Sequence, residues 1–159
     1  MISVPGQAGA YERRDSATSE QTEQIAAELA ATLRAGDVVL VSGDLGAGKT
    51  TFVRGACRAL GIDGPVTSPT FTIARRYEGG RVPVSHLDLY RLDGAAGEDP
   101  ALLEDEIGPQ RVTFVEWPEI GAAPPAPTAQ LLAGARIAAR VKLEHRGPQA
   151  RAITIERLT

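Results

Sequence analysis

Apolar residues in the first part of the chain recur with the spacing of one helix face. Between positions 18 and 36 they stand four residues apart, which predicts an amphipathic helix. Thr18 or Ser19 can cap its start by accepting a hydrogen bond from a free backbone N–H group. Gly36 is the predicted stop, because glycine adopts the left-handed conformation that ends many helices. The residues of the apolar stripe are Ile25, Leu29 and Leu33.

The next stretch changes from helical to strand spacing. Residues 37–43, DVVLVSG, are a short apolar and β-branched run, which is typical of a strand covered on both faces. After a glycine-rich segment, residues 49–60 again show helical spacing, and Gly61 is the predicted stop. We expect one apolar face of this second helix to pack on the sheet. Its residues are Phe52, Val53, Ala56, Cys57 and Leu60.

The remainder of the chain is dominated by extended segments. Residues 71–77 and 82–90 predict one hairpin, and residues 135–145 and 150–158 predict another. Residues 111–117, RVTFVEW, show a second buried-strand pattern. We therefore expect an α/β protein whose sheet is mixed and mostly parallel, with antiparallel hairpins. Further predictions are a short strand over 10–15, an acidic helix over 99–108 and a polyproline-like loop over 121–129.

Composition and charge limit the possible functions. The chain has 159 residues, of which 43% are hydrophobic and 23% charged, as expected for one globular domain. We assign this domain to 16–159 and a loose tail to 1–15. The net charge of −3 disfavours direct binding of nucleic acid, which usually requires a basic face. The single cysteine allows no internal disulfide, and neither a leader peptide nor a membrane span is evident, so we expect a cytoplasmic protein.

The glycine-rich segment contains a phosphate-binding pattern. Residues 43–50, GDLGAGKT, match the P-loop pattern G-x-x-x-x-G-K-[ST], and they lie between a predicted strand and a predicted helix. Such glycines let backbone N–H groups surround phosphate oxygens at the positive end of the helix. We expect Lys49 to contact the β- and γ-phosphates, Thr50 to offer its hydroxyl to Mg²⁺ and Thr51 to reach another phosphate. The predicted nucleotide-binding residues here are Leu45, Gly46, Ala47, Gly48, Lys49, Thr50 and Thr51.

Two carboxylates end predicted strands and are candidates for metal binding or catalysis. Glu116 ends RVTFVE, and Asp88 ends VPVSHLD. Ligands of open α/β sheets bind beyond the carboxyl ends of strands, so both side chains are expected near the phosphates. Which of the two touches a metal directly stays open at this point. Trp117 either forms a wall of the site or covers the edge of the core.

Other reactive side chains carry weaker indications. Ser68 and Thr70, in TSPTFT, either approach the γ-phosphate or Mg²⁺, as switch loops do, or belong to a turn fixed by proline. Cys57 lies on the apolar helix face and is expected to be inert core. His86 and His145 have no metal-ligand spacing with each other or with Cys57, so no zinc site is predicted.

Four segments together resemble one family. The chain has no Asn, and therefore no N-K-x-D motif of the kind that reads guanine in Ras-like GTPases. The segments GDLGAGKTTF, SPTFT, HLDLYR and VEWPE occur in the order and spacing of the TsaE family, bacterial P-loop ATPases of tRNA threonylcarbamoyladenosine synthesis. The resemblance runs from about residue 16 to the C-terminus. The last three segments make it specific, since many families share the first.

The resemblance implies a P-loop NTPase-type, three-layer fold that binds ATP or ADP with Mg²⁺. It implies that Thr50 and Glu116 hold the metal. It also implies that Thr51, Asp88 and Glu116 are needed for catalysis. Contacts at the adenine end are implied at Ser19, in the first helix, and at Gly147, in the last hairpin.

The resemblance further implies partners. TsaE-like ATPases act with a heterodimer of TsaB-like and TsaD-like proteins, which transfers threonylcarbamoyl to the adenosine beside the anticodon of tRNAs reading ANN codons. The ATPase is then expected to be weak alone and stimulated by these partners, and to meet tRNA only through them. No membrane partner is expected.

Two other functions are compatible with the same loop. In a small-molecule kinase, Asp88 would take the proton of the acceptor hydroxyl. In a nucleotide-gated binding module, ATP would set the affinity for a partner without being hydrolysed.

Overall fold

A computed structural model describes residues 10–44, 46–67, 74–88, 105–117 and 134–158. Within these residues, seven strands and two helices alternate at first and are followed by strands alone. The elements are β1 (Ala10–Ser16), α1 (Ser19–Ala30), β2 (Asp37–Gly43), α2 (Lys49–Ala59), β3 (Ala74–Tyr77), β4 (Val84–Asp88), β5 (Val112–Trp117), β6 (Arg136–His145) and β7 (Arg151–Arg157).

The strands form one mixed sheet in the order β1-β7-β6-β2-β5-β4-β3. The central strands β6, β2, β5 and β4 are parallel to one another, while the pairs β3–β4, β6–β7 and β1–β7 are antiparallel. Val38, Val39 and Val41 of β2 are fully buried, as a central strand covered on both faces requires. The α/β class, the mixed sheet and both predicted hairpins are therefore confirmed.

The larger apolar cluster joins both helices to one face of the sheet. Leu29 of α1, Phe52 of α2 and Phe114 of β5 all belong to this cluster. The opposite face carries a smaller cluster around Leu87 and Val115. Side chains alternate along a strand, so the residues two positions from Phe114 point toward the helices. This alternation decides which strand-end side chains can reach the start of α2.

Helix α1 begins where the sequence predicts but ends earlier. Thr18 is the N-cap, and its side chain accepts a hydrogen bond from the backbone N–H of Gln21. The helix ends at Ala30, so the prediction that Gly36 stops it is wrong. The Arg81 guanidinium donates to the carbonyl oxygens of Ala30 and Leu33, at 2.9 and 3.0 Å. These bonds satisfy terminal carbonyls without a glycine cap.

Helix α2 matches its predicted bounds closely. It begins at Lys49, and Leu60 is its C-cap. Gly61 follows with φ of +89° and donates its N–H to the carbonyl of Arg58, while Ile62 donates to the carbonyl of Cys57. This pair of bonds is the Schellman ending that glycine favours.

The N-terminal boundary needs a correction. Residues 10–15 were predicted both as a short strand and as part of the loose tail 1–15. The structure places them in β1, which pairs with β7 from Ala10–Arg157 to Ser16–Arg151. The strand prediction is confirmed, and residues 10–15 are part of the sheet rather than of a loose tail.

Some predictions fall wholly or partly outside the described residues. The loop over 121–129 and most of the acidic helix over 99–108 belong to this group; residues 105 and 106 form a turn. Within the described ranges, neither helix is long and apolar enough to cross a membrane.

Candidate functional site

The predicted phosphate-binding segment, residues 43–50, connects β2 to α2 and is called the glycine-rich loop below. A Cβ atom on Gly43 would lie 2.7 Å from the carbonyl oxygen of Leu143, so the chain passes too close to β6 for a side chain. Gly46 and Gly48 have φ of +79° and +97°, in the left-handed region that favours glycine. Gly48 is the N-cap of α2 and has no side-chain cap. The first N–H groups of α2 are therefore left without a side-chain cap, as at helix starts that bind anions.

Lys49 folds back over this loop. Its Nζ donates to the carbonyl oxygens of Gly43 and Asp44, at 2.6 and 3.2 Å. Burial lowers the pKa of Lys49 below its ordinary value. The negative charges of Glu116, Asp88 and Asp44 act in the opposite direction. The ammonium group thus sits among carbonyls and carboxylates at the place predicted for phosphates.

The two predicted metal ligands are neighbours. Thr50 Oγ1 donates to Glu116 Oε1 at 3.3 Å and lies 3.5 Å from Oε2. Glu116 is only 2% exposed, at the carboxyl end of β5. Its Cα is in register with Val41 of β2, just before the glycine-rich loop begins. Parallel pairing of β2 with β5 therefore brings the carboxylate to the first turn of α2.

Asp88 belongs to the same edge of the sheet. It ends β4 and is in register with Glu116 across the parallel ladder. Its charge also acts on Lys49. Thr51 is half-buried in the first turn of α2. Leu45, also predicted to bind nucleotide, lies outside the described residues.

His86 contacts this site, and the sequence analysis did not predict it. Its Nε2 atom is hydrogen-bonded to Glu116 Oε2, and its side chain is fully buried. The spacing of His86 in the sequence indicates no metal site, but its place on the strand carries a different signal. His86 stands two positions before Asp88 on one strand, so both side chains leave the same face of the sheet. That alternation was visible in the sequence.

A cavity of about 500 Å³ lies between β1, the start of α1 and the β6–β7 turn. Arg151, at the start of β7, links it to the glycine-rich loop: it donates to the carbonyl oxygens of Ala47 and Gly46, at 2.9 and 3.1 Å. This volume lies within the usual range for small-molecule sites. The residues lining the cavity are Arg13, Asp15, Ser16, Ala17, Gln21, Arg146, Ala150 and Arg151.

The adenine-end predictions fall around this cavity rather than in its lining. Ser19 is the first residue of α1, next to the N-cap Thr18. Gly147 lies in the turn between β6 and β7, where its carbonyl accepts a hydrogen bond from Arg151 at 3.2 Å. Gln21 and Arg151, from the same two segments, do line the cavity. Arg151, like His86, contacts the candidate site without a role that the sequence predicts.

The donor set suits a hard cation bound together with a nucleotide. Among the described residues, no three His, Cys, Asp or Glu side chains are grouped so as to hold a metal by themselves. Thr50 and Glu116 offer a hydroxyl and a carboxylate side by side. Mg²⁺ takes oxygen ligands, retains several waters and is commonly held by few protein groups plus substrate phosphates. The residues present therefore fit Mg²⁺ as a companion of a bound nucleotide.

The remaining candidates take no part in this geometry. Ser68, Thr70 and the side chain of Trp117 lie outside the described part of the structure. Cys57 is fully buried, and burial raises its pKa to about 12, in line with inert core. His145 is exposed at the end of β6.

Comparisons with known proteins agree with the family resemblance. A TsaE protein from Synechocystis sp., described as a tRNA threonylcarbamoyladenosine biosynthesis protein, is 46% identical over 62% of this chain and 64% of its own length. One from Bacillus subtilis with the same description is 48% identical over 62% of this chain and 61% of its own length. The chain thus matches less than two thirds of each relative's length.

A solved structure resembles the whole fold. The crystal structure of Bacillus subtilis YdiB matches with a TM-score of 0.69 and 32% identity, over 95% of this chain and 88% of that one. The α/β architecture is thus shared with a solved protein and is consistent with a P-loop NTPase-type fold.

A family model, described as threonylcarbamoyl adenosine biosynthesis protein TsaE, matches residues 16–153. This range includes the glycine-rich loop and all the strand ends that surround it. The chain therefore belongs to the TsaE family.

Proposed function

We propose that this chain is a Mg²⁺-dependent ATPase. It acts as an accessory subunit in the synthesis of N6-threonylcarbamoyladenosine on tRNA. The observation that carries the proposal is the pairing of Thr50 with Glu116 at the start of α2, beside a loop of left-handed glycines. Family membership supplies the pathway.

In this proposal each group has a distinct task. The backbone N–H groups of residues 46–50 and the Lys49 ammonium bind the phosphates, while Thr50 and Glu116 hold Mg²⁺. When bound, Mg²⁺ would neutralise charge on the phosphate oxygens. Asp88, beside Glu116, has the position to orient or deprotonate the attacking water. Thr51 offers a second hydroxyl to the phosphates.

The cavity near Arg151 is the proposed place of the nucleoside. Arg151 lines it and also donates to the glycine-rich loop at Ala47 and Gly46, and the start of α1 and the β6–β7 turn border it. A phosphate chain extending from the loop would leave its adenosine on this side.

The proposed partners are a TsaB-like and a TsaD-like protein in the cytoplasm, which would contact tRNA themselves. The net charge of −3 is consistent with this division of work. A tRNA-binding face would require a concentration of basic residues.

The test is phosphate release from Mg²⁺–ATP, with and without both partners from the same organism. Lys49→Ala is the blank. We expect slow release alone, strong stimulation by the partners and loss of both in the blank. A rate of phosphate release that is the same with and without the partners would contradict the accessory role. Partner binding that depends on nucleotide, without phosphate release, would instead favour a nucleotide-gated binding module.

A further inference from the structure

His86 is a buried polar side chain with one defined partner. It is 0% exposed, and its Nε2 atom contacts Glu116 Oε2. A carboxylate only accepts hydrogen bonds, so we assign the proton of this bond to Nε2. The other ring nitrogen, Nδ1, has no hydrogen-bond partner within the described part of the chain. The ring is therefore placed in the core for its contact with Glu116, at the cost of an unsatisfied nitrogen.

This contact distinguishes the two oxygens of Glu116. Oε2 is held by His86, whereas Oε1 is the oxygen nearer to the Thr50 hydroxyl, at 3.3 Å against 3.5 Å. A glutamate side chain free to rotate would exchange these positions. With Oε2 fixed on the β4 side, Oε1 faces the glycine-rich loop.

A second ring keeps His86 in place. The centroids of the Tyr77 and His86 rings are 6.3 Å apart, with an angle of 34° between their planes. Tyr77 is itself tied down, because its hydroxyl donates to the carbonyl oxygen of Thr67 at 3.1 Å. The imidazole thus has a packed neighbour on one side and the carboxylate on its Nε2 side.

We propose that His86 is a positioning residue, which holds Glu116 so that one carboxylate oxygen is presented to the nucleotide-bound metal. The proposal rests on the proposed function, since it concerns the orientation of a ligand of that same site. His86 touches neither nucleotide nor metal in this role. It acts only through Glu116.

Two amide variants separate the positioning role from a general packing role. The amide nitrogen of His86→Gln can take the place of Nε2 and donate to Glu116. The shorter amide of His86→Asn takes the place of Nδ1 and cannot reach. Both variants are polar, and both remove the ring from its contact with Tyr77. They therefore share the packing defect and differ in the hydrogen bond.

The experiment measures the affinity of the full chain for a fluorescent ATP analogue, in Mg²⁺ and in EDTA. Outer-shell partners of metal ligands typically change metal affinity by roughly 10- to 100-fold. In wild type, Mg²⁺ is expected to raise the affinity for the analogue. We expect this increase to be about tenfold or more smaller in His86→Asn, whose affinity in EDTA should stay near that of wild type. His86→Gln should recover most of the gain. In thermal unfolding without nucleotide, both variants should have midpoints below that of wild type by a similar amount.

The outcomes discriminate between the two proposals. Equal loss in Gln and Asn variants, or none in either, would overturn the positioning role. Loss in EDTA as great as in Mg²⁺ would also overturn it, because the defect would then lie in the fold. If wild type itself gains no affinity from Mg²⁺, the proposed function fails first and the role of His86 falls with it.

Discussion

Thr50 and Glu116 are hydrogen-bonded, Oγ1 to Oε1 at 3.3 Å, although 66 positions separate them in the chain. The parallel register of β2 with β5 explains how residues so far apart in the chain come into contact, because it sets Val41 and Glu116 side by side. The carboxylate of Glu116 therefore reaches the first turn of α2.

Replacing Glu116 by Gln removes the charge and keeps the shape. We expect Mg²⁺-dependent phosphate release to fall by about a hundredfold or more, because metal-ion stabilisation is worth several kcal/mol of barrier. Nucleotide binding in EDTA should change little. The matched control is Glu78→Gln, an exposed glutamate beyond the end of β3. Turnover by Glu116→Gln at the control's rate would remove Glu116 from the metal site.

Replacing Thr50 by Val or by Ser separates the hydroxyl from the methyl group. Valine keeps the β-branched shape but has no oxygen for Glu116 or for Mg²⁺, so we expect the loss of affinity to appear only when Mg²⁺ is present. Serine keeps the oxygen and should bind within a few-fold of wild type. Isothermal titration with ATP, in Mg²⁺ and in EDTA, compares the two. Equal behaviour of the valine and serine variants would argue against a hydroxyl ligand at this position.

The sequence was sufficient for most elements because their signals are local. The spacing in α1, the β-branched run in β2 and the glycine after α2 each reflect the geometry of one segment. Gly36 failed as a helix stop because Arg81, far along the chain, caps the carbonyls of Ala30 and Leu33 instead. No local pattern contains that contact.

The sequence predicts single residues of the site but not the contacts between them. Glu116 and Asp88 were found because strand ends are recognisable, but their mutual register depends on the order of strands in the sheet. The contact of His86 with Glu116 required knowing that β4 and β5 are adjacent. The contacts of Arg151 with the glycine-rich loop depend on where the β6–β7 hairpin lies relative to α2. A sequence pattern can identify such residues, but it does not show which of them are in contact.

Arg151 should matter for the shape of the glycine-rich loop rather than for the metal. Its guanidinium donates to the carbonyls of Ala47, Gly46, Ala150 and Gly147. Lysine has no planar fork and cannot make this set of bonds. We therefore expect Arg151→Lys to weaken nucleotide binding about tenfold, equally in Mg²⁺ and in EDTA.

The control for Arg151→Lys is Arg140→Lys, on β6, whose arginine is 57% exposed and pairs with Glu156 at 3.8 Å. Fluorescence titration of both variants checks the prediction. A loss confined to Mg²⁺ conditions would show instead that Arg151 acts on the metal side of the site.

The packing of α1 on α2 depends on a glycine. A Cβ atom on Gly55 would overlap the Cα and carbonyl oxygen of Glu23, in the neighbouring helix. Alanine normally stabilises a helix relative to glycine by about 1 kcal/mol. Here we expect Gly55→Ala to lower the free energy of unfolding by about 1–3 kcal/mol, because both elements are rigid backbone. Gly64→Ala is the control, since nothing lies within 4 Å of its Cβ position. Chemical denaturation measures both, and a stabilised Gly55→Ala would refute the close approach of the helices.

The buried thiol of Cys57 should make stability fall at high pH. Its pKa is raised from 9.0 to about 12 in the folded protein by burial. Between these values the unfolded chain loses the proton and the folded chain keeps it, so rising pH favours unfolding, by at most about 1.4 kcal/mol per pH unit. This contribution is complete below pH 9 and disappears as the pH approaches 12.

Cys57→Ala lacks it, while the raised pKa values of Tyr11 and Tyr77 remain in both proteins. Urea unfolding from pH 8 upward should therefore show a steeper decline for wild type than for Cys57→Ala. Parallel declines would mean that the thiol ionises without unfolding.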